Sequence, residues 1–200
     1  CSLWFRKRSL TRLLPMMNEP AGGRIVSASV DIGYGLYESP FGQFIIAATP
    51  RGVCFLEIGD DPQALVAELK RRYPQAAVVH DPGRVDGWAR SLLHYLRGGG
   101  SPPSIPLDVK GTRFQQRVWM ALQSIPPGAT RTYGEIADQI GCPQASRAVG
   151  RACGANPVLI VVPCHRVTRK DGALGGFRGG RQLKAALLAW ERRIHGEGTS

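Results

Sequence analysis

The sequence predicts an α/β domain followed by a mainly helical domain that contains a helix-turn-helix-like corner. Strand-like runs separated by glycine- and proline-bearing turns occur before Gly59, whereas apolar residues recur at helical spacing after Lys110. The 200 residues fit one large or two small domains, and a hydrophobic content of 43% supplies a core. Disorder is therefore not expected, and no apolar run approaches the roughly 18 residues of a membrane span.

The N-terminal half contains the strand patterns. After a basic tail at residues 1–27, we assign an α/β domain to residues 28–110. Three runs predict the strands of a small antiparallel sheet: 25–30, 43–48 and 53–58. Two segments with apolar residues three and four apart predict helices: 62–73 and 85–96. The run GGGSPP then ends the second helix.

The C-terminal half has sharper helix signals, and we assign residues 111–196 to a second domain and residues 197–200 to a tail. Thr112 and Thr132 can each cap a helix, because a threonine oxygen accepts a hydrogen bond from the first turn. Four helices are predicted: 113–124, 133–140, 144–153 and 183–194. A short turn joins the second to the third, which is the pattern of a helix-turn-helix.

The helix predicted at 144–153 has an unusual surface. Its side chains are mostly small, and Arg147 and Arg151 lie four residues apart on one face. Such a helix can approach another surface closely, and the minor groove of DNA is only about 6 Å wide. Binding in that groove is one interpretation, and close packing against a neighbouring helix is the other.

Basic residues are concentrated in the C-terminal half. Residues 111–200 contain 13 Lys and Arg against 5 Asp and Glu, in a chain whose formal net charge is +11. A nucleic-acid partner is expected, because phosphate neutralisation dominates non-specific affinity for DNA. A basic surface kept for solubility is the alternative.

The five cysteines contain no Cys-x-x-Cys pair, so neither a disulfide framework nor a zinc site is predicted. We expect no bound metal, and a reducing, cytoplasmic setting. One of the five, Cys164, has the neighbours that a nucleophile needs. Residues 158–162 (VLIVV) predict a buried strand that runs directly into it.

His165 follows this cysteine and can serve as its base. A free cysteine has a pKa of about 8.5 and is mostly protonated at neutral pH, so a neighbouring base is needed to form the thiolate. Adjacent side chains point apart on an extended backbone, so this pair requires a bridging water. Glu191, beside the apolar stripe of the last helix, can orient His165. An ion pair of Glu191 with Lys184 or Arg192 on a solvated face is the alternative.

Residues 28–195 as a whole resemble the O6-alkylguanine-DNA alkyltransferase (methylated-DNA–protein-cysteine methyltransferase) family. The resemblance is carried by the stretches FQQRVWMALQSIP, TYGEIA, ASRAVGRACGANP, PCHRV and GALGGFRGG, and SPFGQFIIAATPRGVCFLEIG is similar to the repair domain of bacterial Ada proteins. It implies a ribonuclease H-like N-terminal domain and a winged-helix-like C-terminal domain. It also implies repair of O6-alkylguanine in double-stranded DNA by base flipping and irreversible transfer of the alkyl group to the protein, without a cofactor.

The resemblance also implies roles for individual residues. Cys164 is the nucleophile, with His165 as its base through a water. Glu191 orients the histidine, and Asn156 stabilises the turn before the active-site strand. Arg147 fills the vacated base position, and Tyr133 turns the target phosphate. Three further matches lie near the DNA backbone: Gln115, Gly134 and Lys170. Two more lie in the base pocket: Phe177 and Val167.

One position departs from the family pattern. Phe177 stands where a tyrosine commonly donates a hydrogen bond to guanine N3. Transfer is therefore expected to be slower unless another side chain donates this hydrogen bond. Arg178 is the candidate for that replacement. Three other functions compete: a lesion-binding protein without transfer, the repair part of an Ada-type transcriptional regulator, and a cysteine hydrolase. We expect a monomer. O4-alkylthymine stays open as a second substrate beside O6-alkylguanine.

Overall fold

A computed structural model describes residues 31–195 of the chain. The basic tail predicted at 1–27, the strand predicted at 25–30 and the tail at 197–200 lie outside the described residues. Within 31–195, no helix is both long enough and apolar enough to cross a membrane.

The N-terminal domain is built on a four-stranded sheet. Its strands are β1 (Asp31–Ser39), β2 (Gly42–Thr49), β3 (Gly52–Gly59) and β4 (Ala77–His80), in the order β3-β2-β1-β4. The first three strands pair antiparallel, which agrees with the prediction for the runs at 43–48 and 53–58, and β4 joins β1 in parallel. Since β3 lies at the edge, its free side is available to the rest of the chain, and Leu56 of β3 forms a bridge with Val158 there.

A helix covers each face of this sheet. Phe44 and Ile46 of β2 pack in one cluster with α2 (Pro82–Leu96), whereas Ile45 and Ala47 pack in another with α1 (Pro62–Arg72). This division follows from the alternation of side chains along a strand. The cluster on the α2 side continues into the C-terminal domain, so the two domains share one hydrophobic core.

The sequence does not predict β1 and β4, for physical reasons. Gly33 and Gly35 interrupt β1, and glycine provides no side chain for the alternating pattern on which a strand prediction depends. β4 has four residues, and Val79 in it is 52% exposed, so this strand lacks a buried face. The predicted helices and the strands at 43–48 and 53–58 agree with the structure to within a few residues.

The C-terminal domain is mainly helical. Its elements are α3 (Arg113–Gln123), α4 (Tyr133–Gln139), α5 (Ser146–Gly154) and α6 (Gly180–His195), with a short parallel pair of strands, β5 (Arg131–Thr132) and β6 (Val167–Thr168). Thr112 and Thr132 cap α3 and α4, each within a complete capping box. A 3₁₀ turn, Pro143–Ala145, leads from α4 into α5 and forms the predicted helix-turn-helix corner.

The strand predicted at 158–162 is wrong. Val158 makes one bridge, and the chain then turns back, with the Val162 N–H donating to the Val158 carbonyl at 3.1 Å. Ile160 has a φ of 69°, in the left-handed region that β-branched residues rarely adopt. The apolar run indicates correctly that these residues are buried. It cannot distinguish a strand from a turn, because both need apolar side chains when they lie in the core.

Candidate active site

The turn described above delivers Cys164 into the core. Cys164 begins a 3₁₀ turn, Cys164–Arg166, and is 3% exposed. Asn156, fully buried, fixes this geometry because its Nδ2 donates to the Val162 carbonyl at 2.8 Å and to Cys164 Sγ at 3.1 Å. Its Oδ1 accepts from the Val158 N–H at 3.0 Å. Asn156 therefore both holds the turn and places an amide donor on the sulfur.

His165 and Glu191 form a buried pair behind the cysteine. His165 Nε2 lies 2.9 Å from Glu191 Oε1, and both side chains are 0% exposed. An ionised carboxylate can only accept, so Nε2 carries the hydrogen and Nδ1 is left as the basic nitrogen. Nδ1 has no hydrogen-bond partner within the described part of the chain. The imidazole is thus oriented with an unprotonated nitrogen available for a proton.

Glu191 accepts hydrogen bonds from several directions. Arg166 donates through Nε at 3.0 Å and Nη2 at 2.7 Å, and the Gly128 N–H donates at 3.1 Å. Burial alone raises the pKa of the Glu191 carboxyl, but the hydrogen bonds from His165 and Arg166 outweigh it and lower the pKa to about 2. The alternative pairing with Lys184 or Arg192 is not observed, since Glu191 pairs with His165 and Arg166.

The thiol is protonated in this resting structure. Burial raises the pKa of Cys164 to about 11, against the opposing influence of the Asn156 hydrogen bond and the Lys184 charge. Burial also lowers the pKa of His165, with Glu191 opposing the shift, so the imidazole is neutral at neutral pH. Proton transfer from sulfur to imidazole therefore has to accompany any nucleophilic step.

Two cationic residues of this cluster were not assigned to the site from sequence. Lys184 is 0% exposed and donates from Nζ to the Val167 carbonyl at 2.6 Å, and Arg166 is 4% exposed. Burial lowers the pKa of Lys184, and the nearby sulfurs of Cys164 and Cys153 oppose the shift. The seven-residue spacing from Lys184 to Glu191 puts both on one helix face, and this signal could have found the lysine.

An open cleft of ≈ 640 Å³ lies between α5 and the residues that precede α6. Of the predicted site residues, Arg147, Tyr133 and Phe177 line it, and the ring of Phe177 meets His165 edge-on at 6.3 Å. The cleft residues are Tyr133, Ser146, Arg147, Gly150, Arg151, Gly154, Arg169, Gly175, Gly176, Phe177 and Arg178. Cys164 is not among them, although its neighbour His165 contacts the lining residue Phe177.

The other predicted site residues lie outside this cleft. Gln115 is engaged in the α3 capping box, and Gly134 lies in the first turn of α4. Lys170 is exposed on the loop after β6, whereas Val167 is completely buried in the core. Among residues 31–195, no group of three or more His, Cys, Asp and Glu side chains is placed to hold a metal ion.

The fold and the site together define a two-domain protein with a buried Cys-His-Glu arrangement beside an arginine-lined helix-turn-helix corner. The family model for the DNA binding domain of 6-O-methylguanine DNA methyltransferase matches residues 113–193, and the model for its ribonuclease-like domain matches residues 32–109. The chain belongs to the 6-O-methylguanine DNA methyltransferase family, and the predicted fold class is confirmed.

Individual relatives agree with this membership. The bifunctional transcriptional activator/DNA repair enzyme Ada of Escherichia coli is 37% identical over 190 residues, covering 95% of this chain and 52% of Ada. The inducible methylated-DNA–protein-cysteine methyltransferase of Bacillus subtilis is 43% identical over 155 residues, covering 77% of this chain and 87% of the relative. The chain thus spans about half the length of the Ada protein.

A solved structure has the same architecture. The crystal structure of Mycobacterium tuberculosis OGT in complex with DNA superposes with a TM-score of 0.71 at 41% identity. The match covers 81% of this chain and 94% of the other.

Proposed function

We propose that this chain repairs O6-alkylguanine in double-stranded DNA by transferring the alkyl group to Cys164. The observation that carries the proposal is the buried thiol, which accepts a hydrogen bond from Asn156 and is followed by the His165–Glu191 pair. Family membership and the DNA complex of the M. tuberculosis relative support DNA as the partner. Since all of these side chains belong to one chain, the proposed acting form is a monomer.

The proposed reaction is a single displacement at carbon. The thiol proton moves to His165 through a water, and the sulfur attacks the alkyl carbon attached to guanine O6. One carbon–sulfur bond forms and the carbon–oxygen bond breaks, so that guanine leaves as an anion and finally carries the proton that the thiol lost. The thioether product has no easy route back to a thiol, and we propose one turnover per protein without a cofactor.

Several cleft residues support the proposed DNA side of this reaction. Arg147 and Arg151 are exposed on one face of α5, and Arg169 joins them around the cleft. We propose that Arg147 occupies the place of the flipped nucleotide, because a vacated stack costs a few kcal/mol that an inserted side chain partly offsets. Tyr133 borders the cleft beside Gly150 of α5, where it would meet the target phosphate.

We propose that the three other predicted positions, Gln115, Gly134 and Lys170, contact the DNA backbone. In the base pocket, Phe177 presents a ring without a donor, and Val167 backs the site from the core. Arg178, the candidate replacement donor, gives its Nε and Nη2 hydrogens to Glu57, so the ion pair holds its guanidinium away from a role as a free donor to guanine. We therefore propose slow transfer as the consequence of Phe177.

Intact mass spectrometry tests the proposal directly. The chain is incubated with a duplex containing one O6-methylguanine, and we expect each protein to gain the mass of one CH₂ group, located on the peptide that contains Cys164. The same duplex with guanine at that position should leave the mass unchanged. An unmodified protein that still binds the methylated duplex would instead identify a lesion-binding protein, and continued product formation beyond one equivalent would identify a hydrolase.

Asn156→Ala is expected to slow transfer by about 10- to 100-fold at neutral pH, since a hydrogen bond to a charged acceptor is worth about 1.5–3 kcal/mol. Without the amide donor, the pKa of Cys164 rises further above about 11, so less thiolate forms at neutral pH. At any pH well below about 11 the thiolate fraction of both proteins rises in the same proportion, so the ratio of the two rates should stay constant from neutral to mildly alkaline pH. Single-turnover rates over this range measure the defect, and a variant that reacts as fast as the wild type would contradict the assigned role.

A further inference from the structure

The N-terminal domain contacts the active-site region through its edge strand β3. The Leu56 N–H donates to the Pro157 carbonyl at 2.9 Å, and the Leu159 N–H donates to the Leu56 carbonyl at 3.0 Å. Arg72 at the end of α1 donates to the Ala155 carbonyl at 2.8 Å. These bonds flank Asn156, the residue that holds Cys164. The turn before the nucleophile is therefore fixed partly from the other domain.

A second contact reaches the loop formed by residues 175–180, which carries Phe177. Arg178 of this loop donates to both carboxylate oxygens of Glu57, at 3.2 and 3.0 Å, and also to Glu68 of α1. Its guanidinium lies over the Phe55 ring at 5.7 Å. The side chain of Arg178 is 15% exposed, that of Glu57 is 13% exposed and that of Glu68 is 25% exposed. Solvent therefore screens these ion pairs only partly.

The loop needs such an anchor because little else in its sequence restricts it. It has the sequence GGFRGG, and Gly175 and Gly180 have φ values of 69° and 88°. It passes so close to Tyr133 that a Cβ on Gly175 would lie 2.8 Å from the Tyr133 hydroxyl. The loop thus forms one wall of the cleft, and its Phe177 ring lies 6.3 Å from the ring of His165, the neighbour of Cys164.

We propose that Glu57 and Glu68 are positioning residues that, by holding Arg178, fix the Phe177 wall and so limit the size of the alkyl group that reaches Cys164. The inference rests on the proposed alkyl transfer. Neither carboxylate lines the cleft, so both act through Arg178 and do not contact the substrate. Releasing the loop lets the wall yield to a bulky group, whereas a small group loses the fixed surface that orients its base.

The test compares transfer from O6-methylguanine and O6-benzylguanine placed in the same duplex, by the double variant Glu57→Gln/Glu68→Gln and by the wild type. The single-turnover rate ratio of benzyl to methyl should rise by about fivefold or more. A ratio is used because removing two carboxylates also strengthens DNA binding, and this effect is the same for both lesions.

The chain offers a matched control. Arg84 is likewise held between two carboxylates, Asp31 at 3.0 Å and Asp81 at 3.2 Å, but none of the three lines the cleft. Asp31→Asn/Asp81→Asn removes the same charge and should leave the ratio unchanged. An unchanged ratio in the Glu57/Glu68 variant, or an equal rise in the control, overturns the positioning role.

Two further outcomes are separated by design. If the double variant does not fold, Arg178→Lys replaces it, because one ammonium group cannot bridge two carboxylates as a guanidinium does, and the same rise in the ratio is expected. Failure of the wild type to accept methyl would overturn the proposed function itself. Normal methyl transfer with an unaltered ratio in the variants would overturn the positioning role alone.

Discussion

Cys164→Ala should abolish alkyl transfer completely while leaving binding to alkylated duplex DNA nearly unchanged. The sulfur of Cys164 is the proposed acceptor of the alkyl group. Alanine has no nucleophilic atom that could form the bond to the alkyl carbon in its place. The arginines around the cleft stay in place, so the electrostatic attraction to DNA is retained. Transfer of label from a duplex carrying radiolabelled O6-methylguanine, measured beside the dissociation constant of the same duplex, checks both parts.

Cys153 provides a demanding control for this prediction. It is 5% exposed, burial raises its pKa to about 12, and it lies close enough to Cys164 for the charge of that sulfur to raise the pKa as well. Cys153→Ala should still accept the label on Cys164. Labelled protein in the Cys164→Ala preparation would show that a neighbouring thiol is the acceptor, and loss of DNA binding there would show that the substitution disturbs the fold.

The local chemistry of the elements explains how much of the fold the sequence could predict. Helices such as α3 and α4 have caps and stripes that lie within one segment, and Thr112 and Thr132 indicate their starts correctly. The parallel pairing of β1 with β4 and the bridge at Val158 depend instead on partners far away in sequence. Leu56 of β3 pairs with Val158 across about a hundred residues, and no local pattern contains that bond.

The site divides in the same way. The adjacent pair Cys164-His165 is visible in the sequence because its chemistry requires neighbouring residue types. Glu191 is predicted from its place beside the apolar stripe of the last helix, and Asn156 follows from the family resemblance. Lys184 was missed although its helical spacing to Glu191 indicates it, whereas Arg166 and the carboxylates that hold Arg178 act only when α6, β3 and α1 meet their partners.

Glu191→Gln should destabilise the fold by about 3–5 kcal/mol, because it leaves the buried charge of Arg166 without its partner. It should also slow transfer by about a hundredfold or more, since the amide oxygen is drawn to Arg166 and the NH₂ group then faces His165 Nε2, where it favours the wrong tautomer. Urea unfolding measures the first effect, and the single-turnover rate at a temperature where the variant is folded measures the second. Glu38→Gln is the matched control: Glu38 is exposed and bonded to Gln43 at 2.6 Å, so stability should change by about 0.5 kcal/mol or less.

The pH dependence of stability separates this buried charge from a simple packing defect. The pKa of Glu191 is lowered from 4.5 to about 2 in the folded protein, so its ionised form stabilises the fold above pH 4.5, and this contribution is lost as the pH falls through about 2. The free energy of unfolding of the wild type should therefore decrease more steeply over that range than that of Glu191→Gln, and the two curves should converge at the acidic end. Parallel curves would show that the carboxylate charge contributes nothing and that the variant only disturbs packing.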